Sequence, residues 1–187
     1  MASIFDTIKV NQEDTQKSYR WFQSQVKQLG SKVNQNNLMQ NSRQMKNNIL
    51  PGEMYLFYYD PKHKETLPYY DTFPLVLPFR KVEDGFYGIN LHYMPYLMRF
   101  KLLKALSENA TDTNYNQNTK IRISWRILVS FSSIASINGS VKHYLDNHVK
   151  SRFLKINYPD WITASQLPIE QFEKASKTKV WREASNR

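Results

Sequence analysis

The 187 residues carry 26 Lys/Arg against 16 Asp/Glu, for a net charge of +10, and contain no cysteine. That length suits one domain with appendages, large enough to bury roughly 70% of its unfolded surface around a single core. The lack of cysteine excludes disulfides, thiolate metal sites and a thiol nucleophile, and no apolar run approaches the ~20 residues of a membrane span or the pattern of a secretory signal.

From Asn11 to Leu29, the residues Tyr19, Phe22, Val26 and Leu29 recur at the spacing of one helical face. Asn11 or Asp14 is the expected cap, and Gly30 stands where a left-handed residue ends a helix. The Asn/Gln-rich segment that follows holds too few apolar residues to fix a core by itself. Two placements are open: an arm reaching to a neighbour, or a helix folded back on its own domain. Residues 1–50 are accordingly read as a helix and polar arm, and 51–187 as an α+β domain.

At Pro51-Gly52 the composition changes. The aromatic run Met54–Tyr59, bounded by Pro-Gly and Asp60-Pro61, predicts a buried strand. Leu75-Val76-Leu77 is a second, whose flanking Pro74 and Pro78 would confine it to an edge or stand at strand ends. Val82–Gly85 reads as a turn, with Asp84-Gly85 as the hairpin dipeptide. The returning strand Phe86–Tyr93 should put Tyr87, Ile89, Leu91 and Tyr93 toward the core and leave His92 on the polar face.

After Pro95 the period shifts to that of a helix, with Arg99, Lys101 and Lys104 free to point to water. Ser107–Thr119 reads as a loop. The segment 121–131 alternates like a strand but also carries a helical stripe, so both types stand. Val141–Val149 is expected as a short helix and Phe153–Ile156 as a strand, followed by a turn at Pro159-Asp160-Trp161. Several short strands around helices predict an α+β domain, with a small SH3-like β-barrel core interrupted by helical insertions.

No recognised catalytic pattern is present: there is no glycine-rich phosphate loop, nucleophile elbow or kinase signature. His143 and His148, five apart on the expected helix, would diverge by about 140° and could not grip one metal. Asp60 and Asp71 form only a weak carboxylate pair, and His92 and His63 read as solvated. The chain is therefore expected to be non-enzymatic, with no cofactor and no metal.

The charge is segregated. Residues 1–50 hold seven Lys/Arg against three Asp/Glu, 51–119 seven against eight, and 120–187 twelve against five. Such a field fits nucleic acid, an anionic surface or an acidic protein partner. Candidate nucleic-acid contacts are Lys142, Lys150, Arg152, Lys155, Lys177, Lys179 and Arg182, with Lys174 beside them. Aromatics suited to a core or a protein interface are Phe22, Tyr58, Tyr59, Tyr69, Tyr70, Trp161 and Trp181.

The phrases PGEMYLFYYDPKHKETLPYYDTFPLVLPF, DGFYGINLHYMP, VKHYLDNHVKSRFLKI and DWITASQLPIEQF resemble a family of small virion structural proteins of contractile-tailed (T4-like) bacteriophages. The resemblance runs from about Pro51 to Trp181. It implies a virion subunit of the tail or baseplate, assembled in the host bacterial cytoplasm through contacts with other virion proteins or further copies of itself. PGEMYLFYYDP is also weakly similar to the first strand of SH3-like toxin nucleases, without the residues such an activity needs. The second hypothesis is a nucleic-acid-binding virion protein, a DNA-end or packaging factor that uses the basic C-terminal third.

Overall fold

The computed structural model describes residues 18–40, 42–111, 126–127 and 138–186. Helix α1 spans Tyr19–Leu29. It is capped by Ser18, whose Oγ accepts from the Trp21 amide at 3.3 Å, and it ends at Gly30 with φ 53°. The anticipated caps Asn11 and Asp14 lie outside the described residues. Phe22, Val26 and Leu29 are buried in the main core, and Tyr19 and Phe22 meet Phe100 at centroid distances of 5.7 and 6.0 Å. Of the two placements open to this helix, the structure takes the folded-back one.

The polar connector also docks on its own chain. Helix α2 (Gln35–Met39) buries Leu38, and Gln35 donates to the Ile169 carbonyl at 3.2 Å. Strand β1 (Met45–Lys46) then joins the edge of the main sheet.

That sheet has the order β1-β7-β2-β4-β5-β6, built from β2 (Met54–Leu56), β4 (Leu75–Val82), β5 (Gly85–Asn90), β6 (Val141–Leu145) and β7 (Phe153–Ile156). All its pairings are antiparallel. Strand β4 is interior, so the edge alternative does not hold, and of its two prolines only Pro74 stands at a strand end. Pro74 precedes it, and Pro78 falls at a register shift between Pro78 and Arg80, where the missing N–H costs no regular ladder bond. The turn expected within Val82–Gly85 is present, but its two loop residues are Glu83-Asp84, one earlier than the Asp84-Gly85 dipeptide, because Gly85 already pairs with Val82 as the first residue of β5.

Val141–Val149 is not a helix. Its first five residues pair with β5 from Gly85↔Leu145 to Ile89↔Val141, and a 3-10 turn at Asp146–His148 follows. The helical spacing of Val141, Tyr144, Leu145 and His148 was outcompeted by the ring of Tyr144, which packs on Phe57 and Phe86 at 5.3 Å each. Gly85 lets β6 approach this closely: a Cβ there would lie 1.9 Å from the Tyr144 carbonyl oxygen.

One sheet face carries Met54, Leu56, Leu75, Leu77, Ile89, Leu154 and Ile156 and is covered by α1, α3 (Tyr96–Thr111) and the wholly buried α4 (Trp161–Gln166). The other is an aromatic layer of Tyr55, Phe57, Tyr59, Phe86, Tyr144 and Phe153. Because both faces are dry, the expected division of β5 into core and polar sides does not hold: Phe86 is buried and Tyr87 only half-buried. Helix α3 also runs on through Ser107, which is buried, where a loop was expected.

Strand β3 (Tyr70–Asp71) pairs with β8 (Phe172–Glu173) in a second, two-stranded sheet, and α5 (Lys177–Ala184) closes over it. The α+β class holds, but the SH3-like barrel does not. Among the described residues the main sheet is open, because helices rather than strand closure cover its apolar face. The ambiguous segment 121–131 lies outside the described residues except for Arg126 and Ile127.

Candidate nucleic-acid interface

Five exposed cations of the C-terminal third, among the described residues, fall on two elements. The first is the β6–β7 connector. Val149 bridges Tyr59, the Lys150 amide donates to the Tyr58 carbonyl at 2.8 Å, and Ser151 Oγ accepts from the Tyr58 amide at 2.9 Å. His148 Nδ1 lies 2.8 Å from the Asp60 carbonyl oxygen. This pinned segment presents the exposed side chains of Lys150 and Arg152. The Arg152 guanidinium is held by Asn47 Oδ1 at 3.0 Å and the Met45 carbonyl at 2.9 Å, which fixes its direction toward the β1–β2 loop. Lys155 is more committed, in an ion pair with Glu53 at 2.5 Å.

The second element is α5. Ser176 caps it, and Val180 and Ala184 bury against Tyr69 and Tyr93. Gly139 permits this seating, since a Cβ there would come within 2.6 Å of the Ala184 carbonyl oxygen. The remaining faces expose Lys177, Lys179 and Arg182. Lys177 Nζ lies 5.2 and 5.6 Å from the ring centroids of Tyr96 and Trp181, and Lys142 Nζ lies 4.0 Å from that of Tyr93. Charges seated on aromatic faces in this way lose reach but gain a defined position. Lys174, in the left-handed region at φ 68°, is spent internally, because its ammonium donates to the carbonyls of Lys64, Glu65 and Leu67.

The aromatic candidates are mostly internal. Phe22, Tyr59, Tyr69 and Trp161 are buried, and Tyr58, Tyr70 and Trp181 are half-buried. Tyr59 Oη accepts from the Leu145 amide at 3.1 Å, Tyr58 Oη donates to Asn36 at 3.2 Å, and Lys174 approaches the Tyr70 ring at 5.9 Å. Trp161 Nε1 donates to the Ile156 carbonyl at 3.0 Å and Trp181 Nε1 to that of His92 at 2.8 Å.

Two polar centres were not legible in the sequence. His92, expected on a polar face, is fully buried with Nδ1 2.8 Å from Asp71 Oδ2. Asp71 also accepts from Asn90 Nδ2 and the Phe73 amide at 3.0 Å each, and His92 Nε2 has no partner among the described residues. The cause is local: β5 ends at Asn90, whose side chain accepts from the His92 amide and starts the 3-10 turn Leu91–Tyr93 that rotates the imidazole inward. Asn two residues before His was the available signal. Asp60, by contrast, is at the surface with Lys64 at 3.0 Å, so the two aspartates lie in different settings.

Arg99, expected in water, is the second. It is 0% exposed, donates to the carbonyls of Met94, Ser165 and His92, and pairs with Glu170 at 2.7 Å. Burial pushes the Glu170 carboxyl up, but the Arg99 charge, helped by His92, more than offsets this and holds it below the usual glutamate range. Among the described residues no group of His, Asp and Glu could hold a metal ion, and no helix is long and apolar enough to cross a membrane.

The sequence pattern of the family described as phage T4 terminal DNA protecting protein matches residues 3–184. No curated protein and no solved structure matches the chain significantly. The match supports the T4-like phage origin and overturns the expected tail or baseplate subunit: those short aromatic phrases fill the core of this fold, and a shared core says nothing of position in a particle. The match includes the N-terminal segment that the resemblance had left out, and by it the chain belongs to the phage T4 terminal DNA protecting protein family.

Proposed function

We propose that this protein binds the ends of phage DNA and shields them, without turnover. The observation that carries the reading is the family match, since the family is described by its protection of DNA termini. Supporting it, five cations of the C-terminal third sit on exposed side chains of two anchored elements, Lys150 and Arg152 on the β6–β7 connector and Lys177, Lys179 and Arg182 on α5. Cations held on rigid elements contact phosphates by releasing counterions, independently of sequence. The buried Asp71–His92 and Arg99–Glu170 pairs brace the turn and helix that seat α5, rather than perform chemistry. Within the particle, the protein rests against other virion proteins.

The test is protection. Linear duplex is incubated with the purified chain and challenged with an exonuclease that attacks ends, at several salt concentrations. Degradation should slow in proportion to occupancy, and the affinity should fall linearly in log salt with a slope of about −0.9 for each phosphate neutralised. A chain that neither binds nor slows digestion at low salt would sink the proposal.

A further inference from the structure

A cavity of about 310 Å³ opens between the β1–β2 loop and the β6–β7 connector, on the aromatic side of the sheet. Ile49, Val149 and Phe153 give it an apolar floor, Asn47, Asn48 and Ser151 a polar rim, and Lys81 and Asp146 its charges. We infer that this cavity receives one unpaired terminal nucleotide of a DNA end, an inference that rests on the proposed DNA-end function.

The volume is at the lower end of the range of about 300–1,000 Å³ for small-ligand sites, which fits a single nucleotide rather than a duplex. Phe153, whose ring is packed on Phe57 at 5.1 Å, joins Ile49 and Val149 as an apolar floor against which a base of any kind can rest, and the amides of Asn47 and Asn48 offer donors and acceptors to a base edge. Cations surround the mouth. Lys81 lines the cavity, Lys46 lies directly across the β1–β7 ladder from Phe153 and so projects from the same sheet face, and the Arg152 guanidinium bonds the rim residue Asn47 at 3.0 Å. Asp146 is the opposing carboxylate. It accepts from a base amino group and repels phosphate, which orients the base toward the β6 side and the backbone toward Lys46 and Lys81.

Only an end provides such a nucleotide at low cost. A base inside a duplex must be unstacked and unpaired before it can enter a pocket, whereas a terminal base frays. The cations of α5 attract any DNA, and the cavity turns that attraction into a preference for termini.

The experiment compares a short duplex with open ends against a dumbbell of the same stem closed by loops at both ends, using the full chain. A second readout places 2-aminopurine at the terminal or a central position. The chain should bind the open duplex about tenfold more tightly and should change the fluorescence of the terminal probe alone. The double variant Lys81→Gln, Asn48→Ala changes two exposed side chains without adding negative charge and should retain the parent's thermal transition. It should bring the two affinities to within about twofold while leaving dumbbell binding intact. An end preference unchanged in that variant, or a parent that binds both DNAs equally, overturns the cavity assignment alone. Failure to bind either DNA overturns the proposed function and this site with it.

Discussion

Arg99 and Glu170 form a 2.7 Å ion pair inside the protein, with side-chain exposures of 0% and 3%. The pair links helix α3 to the segment before β8, and Arg99 reaches from it to the His92 carbonyl at 3.2 Å. His92 in turn holds Asp71 of β3, so one buried chain of polar contacts ties the large sheet, the small sheet and α5 together.

Breaking this pair should be costly because Arg99 keeps its charge. Glu170→Gln is expected to destabilise by about 3–5 kcal/mol, the cost of leaving a buried partner uncompensated. The folded-state carboxyl is held below its ordinary value, so its stabilisation is fully present above the unfolded glutamate pKa of about 4.3 and is lost as pH falls through the lower folded value. Urea midpoints between neutral pH and pH 3 should therefore fall more steeply for the parent than for Glu170→Gln. Parallel curves would show that the pair does not titrate with folding.

Asp71→Ala should leave three buried donors unmet: Asn90 Nδ2, His92 Nδ1 and the Phe73 amide. At roughly 1–3 kcal/mol for each unsatisfied group the variant loses at least about 3 kcal/mol. Chemical denaturation measures this, and a loss under about 1 kcal/mol would mean that the network relaxes onto water.

Trp181 anchors the C-terminal helix through its bond to the His92 carbonyl and its edge contact with Tyr96 at 5.4 Å. Trp181→Ala should cost about 2 kcal/mol and lower amide protection in α5 more than in β4. Equal protection in both elements would count against that anchoring role.

Replacing Lys177, Lys179 and Arg182 together with Ala tests α5 as a phosphate-binding surface. For every phosphate that is no longer neutralised, the slope of log affinity against log salt should shrink by about 1, with binding weakened uniformly across sequences. Folding stability should move by no more than about 1 kcal/mol, since these side chains are exposed and only Lys177 rests on rings. A wild-type slope would place the DNA elsewhere.

Much of the local structure was legible because it depends on neighbours in the chain. The α1 face of Phe22, Val26 and Leu29, the Gly30 stop, the turn within Val82–Gly85 and the strands at 54–56 and 153–156 follow from period and turn chemistry. The candidate cations were legible as a composition, and five of the seven are exposed. Their grouping was not, because Lys142 and Lys177 meet the rings of Tyr93 and Tyr96, which lie far from them in the chain. The tail assignment failed for a related reason: likeness among core phrases reports shared packing, whereas the family match extends over nearly the whole chain.

By itself the sequence determined a cysteine-free α+β chain with segregated positive charge and a succession of short apolar segments, since these need only composition and spacing. Tertiary structure decided the rest. Val141–Leu145 became a strand because β5 offered it a ladder and an aromatic layer, a pairing over some fifty residues that no local period encodes. Arg99 and His92 went inside because Glu170 and Asp71, distant in sequence, waited there to satisfy them, and a buried polar group is stable only where the fold supplies its partner.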